Sequence, residues 1–529
     1  MINNDYLQEI SQIHNLLDSG KIPKVINKTK KLLSQDKNNP YLNYNCAAIF
    51  IDCGSIQKDI ELINLGVNLI EDILKKDEFQ LSPNHSFANY TLSNGYSELA
   101  YFYQASGSND AMKKALQTQK QLLQKVLLEK ESLPEKLLLN VITNYANLLD
   151  NLGRTVEAVD HYYDCLEIDP SNATAMLNCG IALPRLENIS KVHNPKILYE
   201  AWHLMKESSK LESNLVRLSG RHILPHSQNT LTNFEKYIES QFTGGHNALE
   251  DHILELEKNY TWEPSDILIQ LKNDRFLLTV NPRLLNHPSE YKDDIFFQSM
   301  VMPLDDSKQQ LFRKLVHIFN HVKEDFVTAR YLYYQSQSKE TRLIEVSSIT
   351  SYMDTLDYAD FGIRSGFLKT SLRLASDLLD KCAGFINLYL ELNTNPNTKV
   401  YFSNIWYSDC AFKRGLHPEI ESRLSSNQYL TALYDLNKDF SGGYPAPFKK
   451  LRNDATHNRL VLSWFEILEE SNSMYSLNEF QTIVKFLLRM TKAAIIYMVG
   501  FVMIEEQERE IKLQNLEDKI HTIAILNEL

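Results

Sequence analysis

The stretch Leu139–Pro170, LNVITNYANLLDNLGRTVEAVDHYYDCLEIDP, predicts two antiparallel helices joined by a tight turn. Small side chains at Ala146 and Ala158 would let the two helices approach closely. Gly153 would form the turn, and Pro170 would end the second helix because proline has no backbone N–H to continue it. This pattern favours a mainly α fold built from helix pairs.

The spacing of these small residues, the turn glycine and the final proline resembles that of tetratricopeptide repeats, which are helix-turn-helix units of about 34 residues. Such a unit buries its apolar face only against neighbouring units, so one clear repeat predicts several. Weaker candidate units lie at residues 39–76, 87–128 and 173–206. The resemblance implies a tetratricopeptide-like α-solenoid over residues 1–215, with a protein or peptide as its ligand.

Composition narrows the class of protein. The 529 residues are enough for two to four domains, and 43% apolar with 23% charged residues is typical of a globular protein. The net charge of −12 argues against a surface that binds nucleic acid throughout, so any RNA contact must be local. The six cysteines include no C-x-x-C pair and predict free thiols in a reducing compartment.

The N-terminus and the longest apolar run bear on targeting and membrane insertion. The N-terminal MINNDYLQEI has neither the basic nor the apolar region of a secretion signal. The apolar run Ala493–Ile504 is shorter than the roughly 20 residues that span a bilayer, and it predicts a buried helix. We therefore expect a cytoplasmic protein without a membrane partner.

The rest of the chain divides into two predicted parts. Residues 216–310 contain five prolines and a strand-like run, Arg275–Val280, and predict a connector or small mixed domain. Residues 311–529 show helical periodicity and predict a C-terminal helical bundle. The predicted helices are Leu311–Tyr334, Leu368–Leu392, Pro418–Asp439, Pro447–Glu470 and Asn478–Glu510.

The candidate chemistry lies in the fourth of these helices, where FKKLRNDATHNRL begins at Phe448. Asn453 and His457 are four residues apart and share a helix face, whereas Arg452 and His457 are five apart and about 140° round the helix. One copy of the helix therefore does not aim both at a single phosphate without help. A second copy related by a twofold axis could supply the missing half.

The R-x-x-x-x-H motif from Arg452 to His457 resembles that of HEPN ribonucleases, and further bundle segments extend the similarity over about residues 270–505. The resemblance implies a HEPN-type helical bundle that cuts RNA as a homodimer or higher oligomer, without a metal or other cofactor. His457 would move the proton of the 2′-hydroxyl or of the leaving oxygen. Arg452 would hold the phosphate, and Asn453 would orient the phosphate or the imidazole.

Basic residues beside the motif give a local positive excess that could hold an RNA backbone; they are Lys449, Lys450 and Arg459. A related toxin class continues the motif as R-x-x-x-x-H-x-Y, and its tyrosine is modified by a partner antitoxin. Here Arg459 stands in place of that tyrosine, which puts control by tyrosine modification in doubt. The predicted RNA-binding surface does not depend on that control.

Three functional hypotheses follow. The first is an RNA-cutting effector of antiviral defence or stress response, controlled by the array. The second is a non-catalytic scaffold or dimerisation protein, in which Arg452 is only a structural partner of a carboxylate. The third is the toxin of a toxin–antitoxin pair. His317 and His321 have the spacing of a metal pair, but they lack an evident third ligand, so no metal site is expected.

Overall fold

The computed structural model describes most of the chain. The described residues are 4–36, 38–76, 79, 84–187, 189, 194–211, 224–258, 262–280, 288–302, 306–392, 399–409, 413–465, 474–513 and 521–524.

The fold is mainly α, as predicted. Numbered in chain order, the helices are α1 Asn4–Asp18, α2 Ile22–Gln35, α3 Pro40–Gln57, α4 Ile60–Leu74, α5 His85–Ala105, α6 Asn109–Leu128, α7 Glu135–Asn151, α8 Thr155–Ile168, α9 Ala173–Ala182, α10 Pro184–Glu187, α11 Pro195–Lys210, α12 Leu224–Gln241, α13 Gly245–Lys258, α14 Asp266–Asn273, α15 Asp306–Gln337, α16 Thr341–Ser348, α17 Ile363–Tyr389, α18 Pro418–Glu421, α19 Gln428–Gly442, α20 Phe448–His457 and α21 Leu477–Leu513. Single 3₁₀ turns lie at Lys130–Ser132 and Pro288–Tyr291.

In the described part of the chain, three small sheets accompany the helices. Their strands are β1 Ser299–Met302, β2 Ala359–Asp360, β3 Tyr407–Asp409, β4 Arg414–Leu416, β5 Val461–Ser463, β6 Met474–Ser476 and β7 His521–Ala524. Strands β1 and β7 pair antiparallel, as do β3 and β4. In the third sheet β5 is central, antiparallel to β2 and parallel to β6.

The chain forms two compact units. The first comprises residues 1–148, 161–176 and 208–228, and the second comprises residues 149–160, 177–207 and 229–529. The predicted array of residues 1–215 thus contributes to both units, since the turn between α7 and α8 belongs to the second.

In the first unit, consecutive helices pack in pairs: α1 with α2, α3 with α4, and α5 with α6. Glycines permit the closest approaches. A Cβ on Gly66 would lie 2.6 Å from the carbonyl oxygen of Ala47, and one on Gly95 would lie 2.7 Å from Val67. Because those distances are too short for a Cβ atom, glycine at both positions allows α3, α4 and α5 to pack closely.

The stretch that predicted the helix pair folds as expected. Ala146 and Ala158 are fully buried, and α8 ends two residues before Pro170. Gly153 lies in the turn with φ of +80°, a conformation that side chains disfavour. A Cβ on Gly153 would also lie only 2.6 Å from the carbonyl oxygen of Gln428, at the start of α19. The turn glycine is therefore required by both its backbone angle and its close contact.

The second unit contains a helical bundle in which α15, α17, α19 and α21 pack against one another. On α17 the fully buried residues recur at intervals of three and four, giving one continuous apolar face. They include Leu372, Ala375, Leu379, Cys382 and Ile386. The predicted helices at Leu311–Tyr334, Leu368–Leu392 and Asn478–Glu510 are confirmed. The first and third extend by one to five residues at each end, whereas the second begins five residues earlier and ends at Tyr389.

The long helix α21 contains the apolar run Ala493–Ile504. Among the described residues one segment, Leu477–Ile511, is suited by length and composition to cross a membrane, but 83% of its most apolar window is buried inside the protein. Residues 493–502 are all buried. The segment therefore serves as the core helix of the bundle, as the sequence predicted.

The predicted helix Pro447–Glu470 is wrong in its second half. Helix α20 ends at His457, and Asn458 adopts extended angles of φ −118° and ψ −158°. The chain then forms the central strand β5, because the β-branched and apolar residues that follow pair with strands on both sides. In this segment Leu460 and Leu462 are buried, whereas Phe465 is 59% exposed.

Two smaller sequence predictions also fail. The predicted helix Pro418–Asp439 is divided into α18 and α19, and Asn427 caps α19 by accepting a hydrogen bond from the Leu430 amide. The strand-like run Arg275–Val280 forms no strand, although Phe276, Leu277 and Leu278 are buried. Burial of an apolar run therefore does not require a sheet partner here.

A buried ion cluster fixes the turn between α7 and α8 within the second unit. Arg154 is 1% exposed; its Nη2 lies 2.6 Å from Glu157 and its Nη1 lies 3.0 Å from Asp435. Its Nη1 also contacts Asp439 of α19. The Tyr497 hydroxyl of α21 donates to Glu157 at 3.3 Å. The Arg154 guanidinium thus connects the turn to α19 by ion pairs, and Glu157 connects the turn to α21 by a hydrogen bond.

We expect Arg154→Ala to destabilise the full-length protein by about 3–5 kcal/mol, because it leaves buried carboxylates without their counter-charge. Arg185→Ala is the matched control, since Arg185 is 44% exposed where it pairs with Asp150 and should contribute at most about 1 kcal/mol. The measurement is the free energy of unfolding of the second unit from urea titration. Equal losses in the two variants would contradict the assigned role of Arg154.

Candidate active site

The helix that carries the motif is short because both of its ends are defined locally. Helix α19 ends at Gly442, and the capping residue Gly443 has φ of +83° and donates its N–H to the Asp439 carbonyl at 3.0 Å. Helix α20 then begins after Pro447 and buries one face through Phe448, Leu451 and Asp454. The other residues of α20 are left half-buried or exposed.

Arg452 reaches α17, the neighbouring helix of the bundle. Its Nε lies 2.8 Å from Asp377, and its Nη1 donates to Asp380 at 2.8 Å. The Arg452 side chain is 32% exposed, and its Nη2 makes no hydrogen bond to the described residues. The two aspartates therefore orient the guanidinium and leave one donor group for another acceptor.

Asp377 has an unusual electrostatic environment. Burial raises the pKa of its carboxyl above the ordinary 3.8, and the neighbouring Asp380 and Asp325 raise it further. Arg452 and Lys381 lower the pKa but do not cancel these effects. The ionised form of Asp377 beside Arg452 is thus held at an electrostatic cost.

His457 occupies the last position of α20 and is exposed. Within the described ranges its side chain has no hydrogen bond or ion pair. Asn453 is also exposed and lies on the same face, one helical turn before His457. Because α20 is helical throughout, Arg452 and His457 remain about 140° apart around its axis. The structure places all three predicted residues on one surface helix but does not converge Arg452 and His457 within one copy.

Basic side chains lie around the first turn of α20. Lys449 is half-buried; burial lowers its pKa, and the nearby Lys413 and Arg452 lower it further. Lys450 and Arg459 are exposed, as a solvent-facing basic surface requires. Lys413 was not predicted from the sequence. It lies 36 residues before Lys449, at the turn before β4, where its φ is +52°. No local spacing links Lys413 to the motif, so only the fold identifies it.

Asp454, inside the motif, is another residue whose role the sequence did not indicate. It is 6% exposed, and its Oδ1 accepts a hydrogen bond from the Asn458 side chain at 2.9 Å. Its Oδ2 is buried and has no hydrogen-bond partner among the described atoms. This hydrogen bond with Asn458 stabilises the C-terminal end of α20, next to His457.

Within the described part of the chain, no group of three or more His, Cys, Asp or Glu side chains has the arrangement needed for a metal ion. His321 pairs instead with Glu324 at 3.1 Å on the exposed surface of α15.

We expect Asp377→Asn to become progressively more stabilising relative to wild type as the pH rises above 3.8. Because the folded pKa of Asp377 is raised, the folded wild-type protein keeps this proton to a higher pH than the unfolded chain does. Wild-type stability is therefore lost as the pH rises through the folded pKa. Urea unfolding of both proteins between about pH 4 and 7 measures the difference. A difference that is constant, or that shrinks as the pH rises, would refute this assignment.

Comparison with known proteins finds a family resemblance over the C-terminal bundle. Residues 307–506, which include all of α20, match the family model described as LA2681-like HEPN. Two solved structures titled "Crystal structure of MamA" and "Crystal structure of MamA protein" are 17% and 16% identical, cover 38% and 40% of this chain and 95% of their own, and have TM-scores of 0.23. These scores are too low to support an argument. No curated protein matches. The C-terminal bundle is thus similar to the HEPN family over residues 307–506.

Proposed function

We propose that the protein is a metal-independent endoribonuclease whose catalytic residues are Arg452 and His457 on α20. The observation that carries this proposal is the position of the motif: an exposed histidine and an oriented, part-exposed arginine lie on one surface helix within the HEPN-like region. Both side chains are of the types that RNA cleavage without a metal requires.

The reaction uses the RNA as its own nucleophile. The 2′-hydroxyl oxygen attacks the adjacent phosphorus, the bond from phosphorus to the 5′-oxygen breaks, and a 2′,3′-cyclic phosphate and a 5′-hydroxyl are formed. His457 moves the proton that leaves the 2′-hydroxyl or the proton that the 5′-oxygen gains. Arg452 stabilises the negative charge that builds on the phosphate.

The contacts of Arg452 support this role. Asp380 accepts a hydrogen bond from Nη1 and Asp377 forms an ion pair at Nε, so the two carboxylates restrict the guanidinium before RNA arrives. Nη2 remains available to a phosphate oxygen, and fixed donors lose little entropy when they bind. Asn453 would orient the phosphate or the imidazole from the next position on the helix.

The active site of this proposal is composite. Since Arg452 and His457 point in directions about 140° apart, each site combines Arg452 of one copy with His457 of the other. Lys449, Lys450 and Arg459, with Lys413, would hold the RNA backbone locally despite the net charge of −12.

The helix pairs of the first unit supply the control in this proposal. An array of helix pairs is suited to bind a protein or peptide, and it contributes no group to the chemistry described. We place the enzyme in antiviral defence or a stress response, where cleavage of RNA would follow recognition of that ligand by the array.

A second candidate is a non-catalytic scaffold that uses the bundle for dimerisation. The ion pairs of Arg452 favour it, because an arginine held by two carboxylates is also what a structural role requires. In this case His457 would have no function beyond its place at the end of α20.

The two candidates differ in the effect of His457→Ala. Under the nuclease proposal it lowers the rate of RNA cleavage by about 10²- to 10⁴-fold, because it removes the proton-transfer group. Arg452→Lys is also severely impaired, since an ammonium group cannot reproduce the planar fork of the guanidinium. His321→Ala, an exposed histidine on α15, is the matched control and should leave the rate unchanged.

Cleavage is measured with purified protein and total RNA in the presence of EDTA, and the chemistry of the new ends is determined. The expected ends are a 2′,3′-cyclic phosphate and a 5′-hydroxyl. Cleavage by His457→Ala at the wild-type rate, loss of wild-type activity with EDTA, or 5′-phosphate ends would each contradict the mechanism. A wild-type protein that cuts no RNA would favour the scaffold.

A further inference from the structure

A cavity of about 360 Å³ opens beside the strand that follows the motif. Its walls come from α16, the loop that follows α16, the start of α17 and the residue after β5. Strand β2 brings these segments together by pairing with β5, and the Trp464 amide donates to the Tyr358 carbonyl at 3.3 Å. The volume is near the lower end of the range for small-molecule sites, so it suits a single flat ring system.

The cavity is bordered by aromatic side chains that remain accessible. Trp464 is 57% exposed, Tyr352 53% and Phe361 42%, and all three line the opening. The rings of Tyr352 and Phe361 are stacked, with centroids 6.0 Å apart and an angle of 21° between their planes. Accessible aromatic faces of this kind bind nucleobases by stacking, whichever base is presented.

Two charged side chains lie among these rings. Asp360 accepts a hydrogen bond from the Ser365 hydroxyl, and burial raises the pKa of Asp360 although Arg364, Lys369 and the Trp464 indole act in the opposite direction. Arg364 donates from Nε to the Ser336 carbonyl at 3.0 Å. Its two Nη groups have no hydrogen-bond partner in the described part of the structure. The cavity therefore offers a fork of donors and a carboxylate acceptor beside flat apolar surfaces.

The cavity also lies within reach of the motif along the chain. Trp464 follows His457 by seven residues, which span at most about 25 Å when fully extended. A strand of RNA that reaches His457 could therefore place a base a few nucleotides away in this cavity.

We infer that the cavity lined by Trp464, Asp360 and Arg364 is a nucleobase-binding subsite for single-stranded RNA. The inference deepens the proposed nuclease function and rests on it for its role in substrate choice. The aromatic rings stack on the base, Arg364 donates to acceptors on the base edge, and Asp360 accepts from its amino or imino groups. The subsite would make cleavage depend on the base bound near the cut.

The test is binding of fluorescein-labelled RNA tetramers to full-length protein that carries His457→Ala, so that binding is measured without cleavage. Adding Trp464→Ala should weaken binding of the intact tetramer by roughly fivefold or more, and should not affect a tetramer whose bases are all absent. The matched control is Tyr331→Ala, which removes a 53% exposed aromatic side chain from α15 and should leave both affinities unchanged.

A second pair of variants tests recognition of the base edge. Asp360→Asn should change which of the four homotetramers binds most tightly, because the amide adds a donor where the carboxylate only accepts. Arg364→Lys should weaken the preferred tetramer and leave the tetramer without bases unaffected. A merely structural role for these residues would weaken all RNAs equally, and that result would overturn the inference.

Failure of the subsite and failure of the nuclease proposal give different results. Wild-type cleavage with base-independent binding in every variant would overturn the subsite and leave the nuclease. Base-dependent binding that is lost in Trp464→Ala, with no wild-type cleavage, would support the subsite and overturn the nuclease.

The exposed Ile349, Met353 and Leu356 lie in the loop that follows α16. If Trp464→Ala converts dimers to monomers in light scattering without changing base dependence, the surface formed by Trp464 and this loop is a protein interface and the subsite is wrong.

Discussion

The position of the motif helix depends on one buried arginine. Burial alone would lower the pKa of Arg154, but Glu157, Asp439 and Asp435 together raise it well above its ordinary value. Three carboxylates around one guanidinium would repel one another without it, so the arrangement is stable only while Arg154 is present. The same Asp439 receives, at its backbone carbonyl, the amides of Gly443 and Tyr444, which begin the turn into α20. The ion cluster and the start of the motif helix thus share one residue of α19.

The two aspartates beside Arg452 have opposing electrostatic effects on the candidate site. Asp377 and Asp380 restrict the orientation of Arg452 by one ion pair and one hydrogen bond, yet they also compete with a phosphate for its positive charge. A site of this kind gains preorganisation and loses part of its attraction for anions. The neighbouring Lys449 and Lys413 add positive charge that the aspartates do not cancel by direct pairing. The same architecture therefore fits the nuclease and the scaffold, and the two differ in how strongly the site attracts a phosphate.

Much of the fold was predictable from local sequence patterns. Helical periodicity identified α15, α17 and α21, and the positions of Ala146, Gly153 and Ala158 identified the α7–α8 turn, because each signal lies within one or two adjacent elements. The end of α20 was not predicted, since the residues after His457 fit a helix or a strand until their strand partners are known. Those partners are about 100 residues earlier in β2 and about 13 residues later in β6.

The candidate site was predictable only in part for the same reason. The motif identified Arg452, Asn453 and His457, but Asp380 is 72 residues from Arg452, and Asp435 is 281 residues from Arg154. Contacts over such separations leave no spacing pattern in a single sequence. The cavity at Trp464 likewise depends on pairing between β2 and β5, which no local signal indicated.

The most direct test of the central claim is to mix two inactive variants. In a composite site, equal amounts of Arg452→Lys and His457→Ala protein should form about half mixed dimers, each with one site that has both native residues. RNA cleavage should then recover to about a quarter of the wild-type rate after subunit exchange. No recovery, with exchange of subunits demonstrated by labelled chains, would contradict a catalytic site shared between two copies.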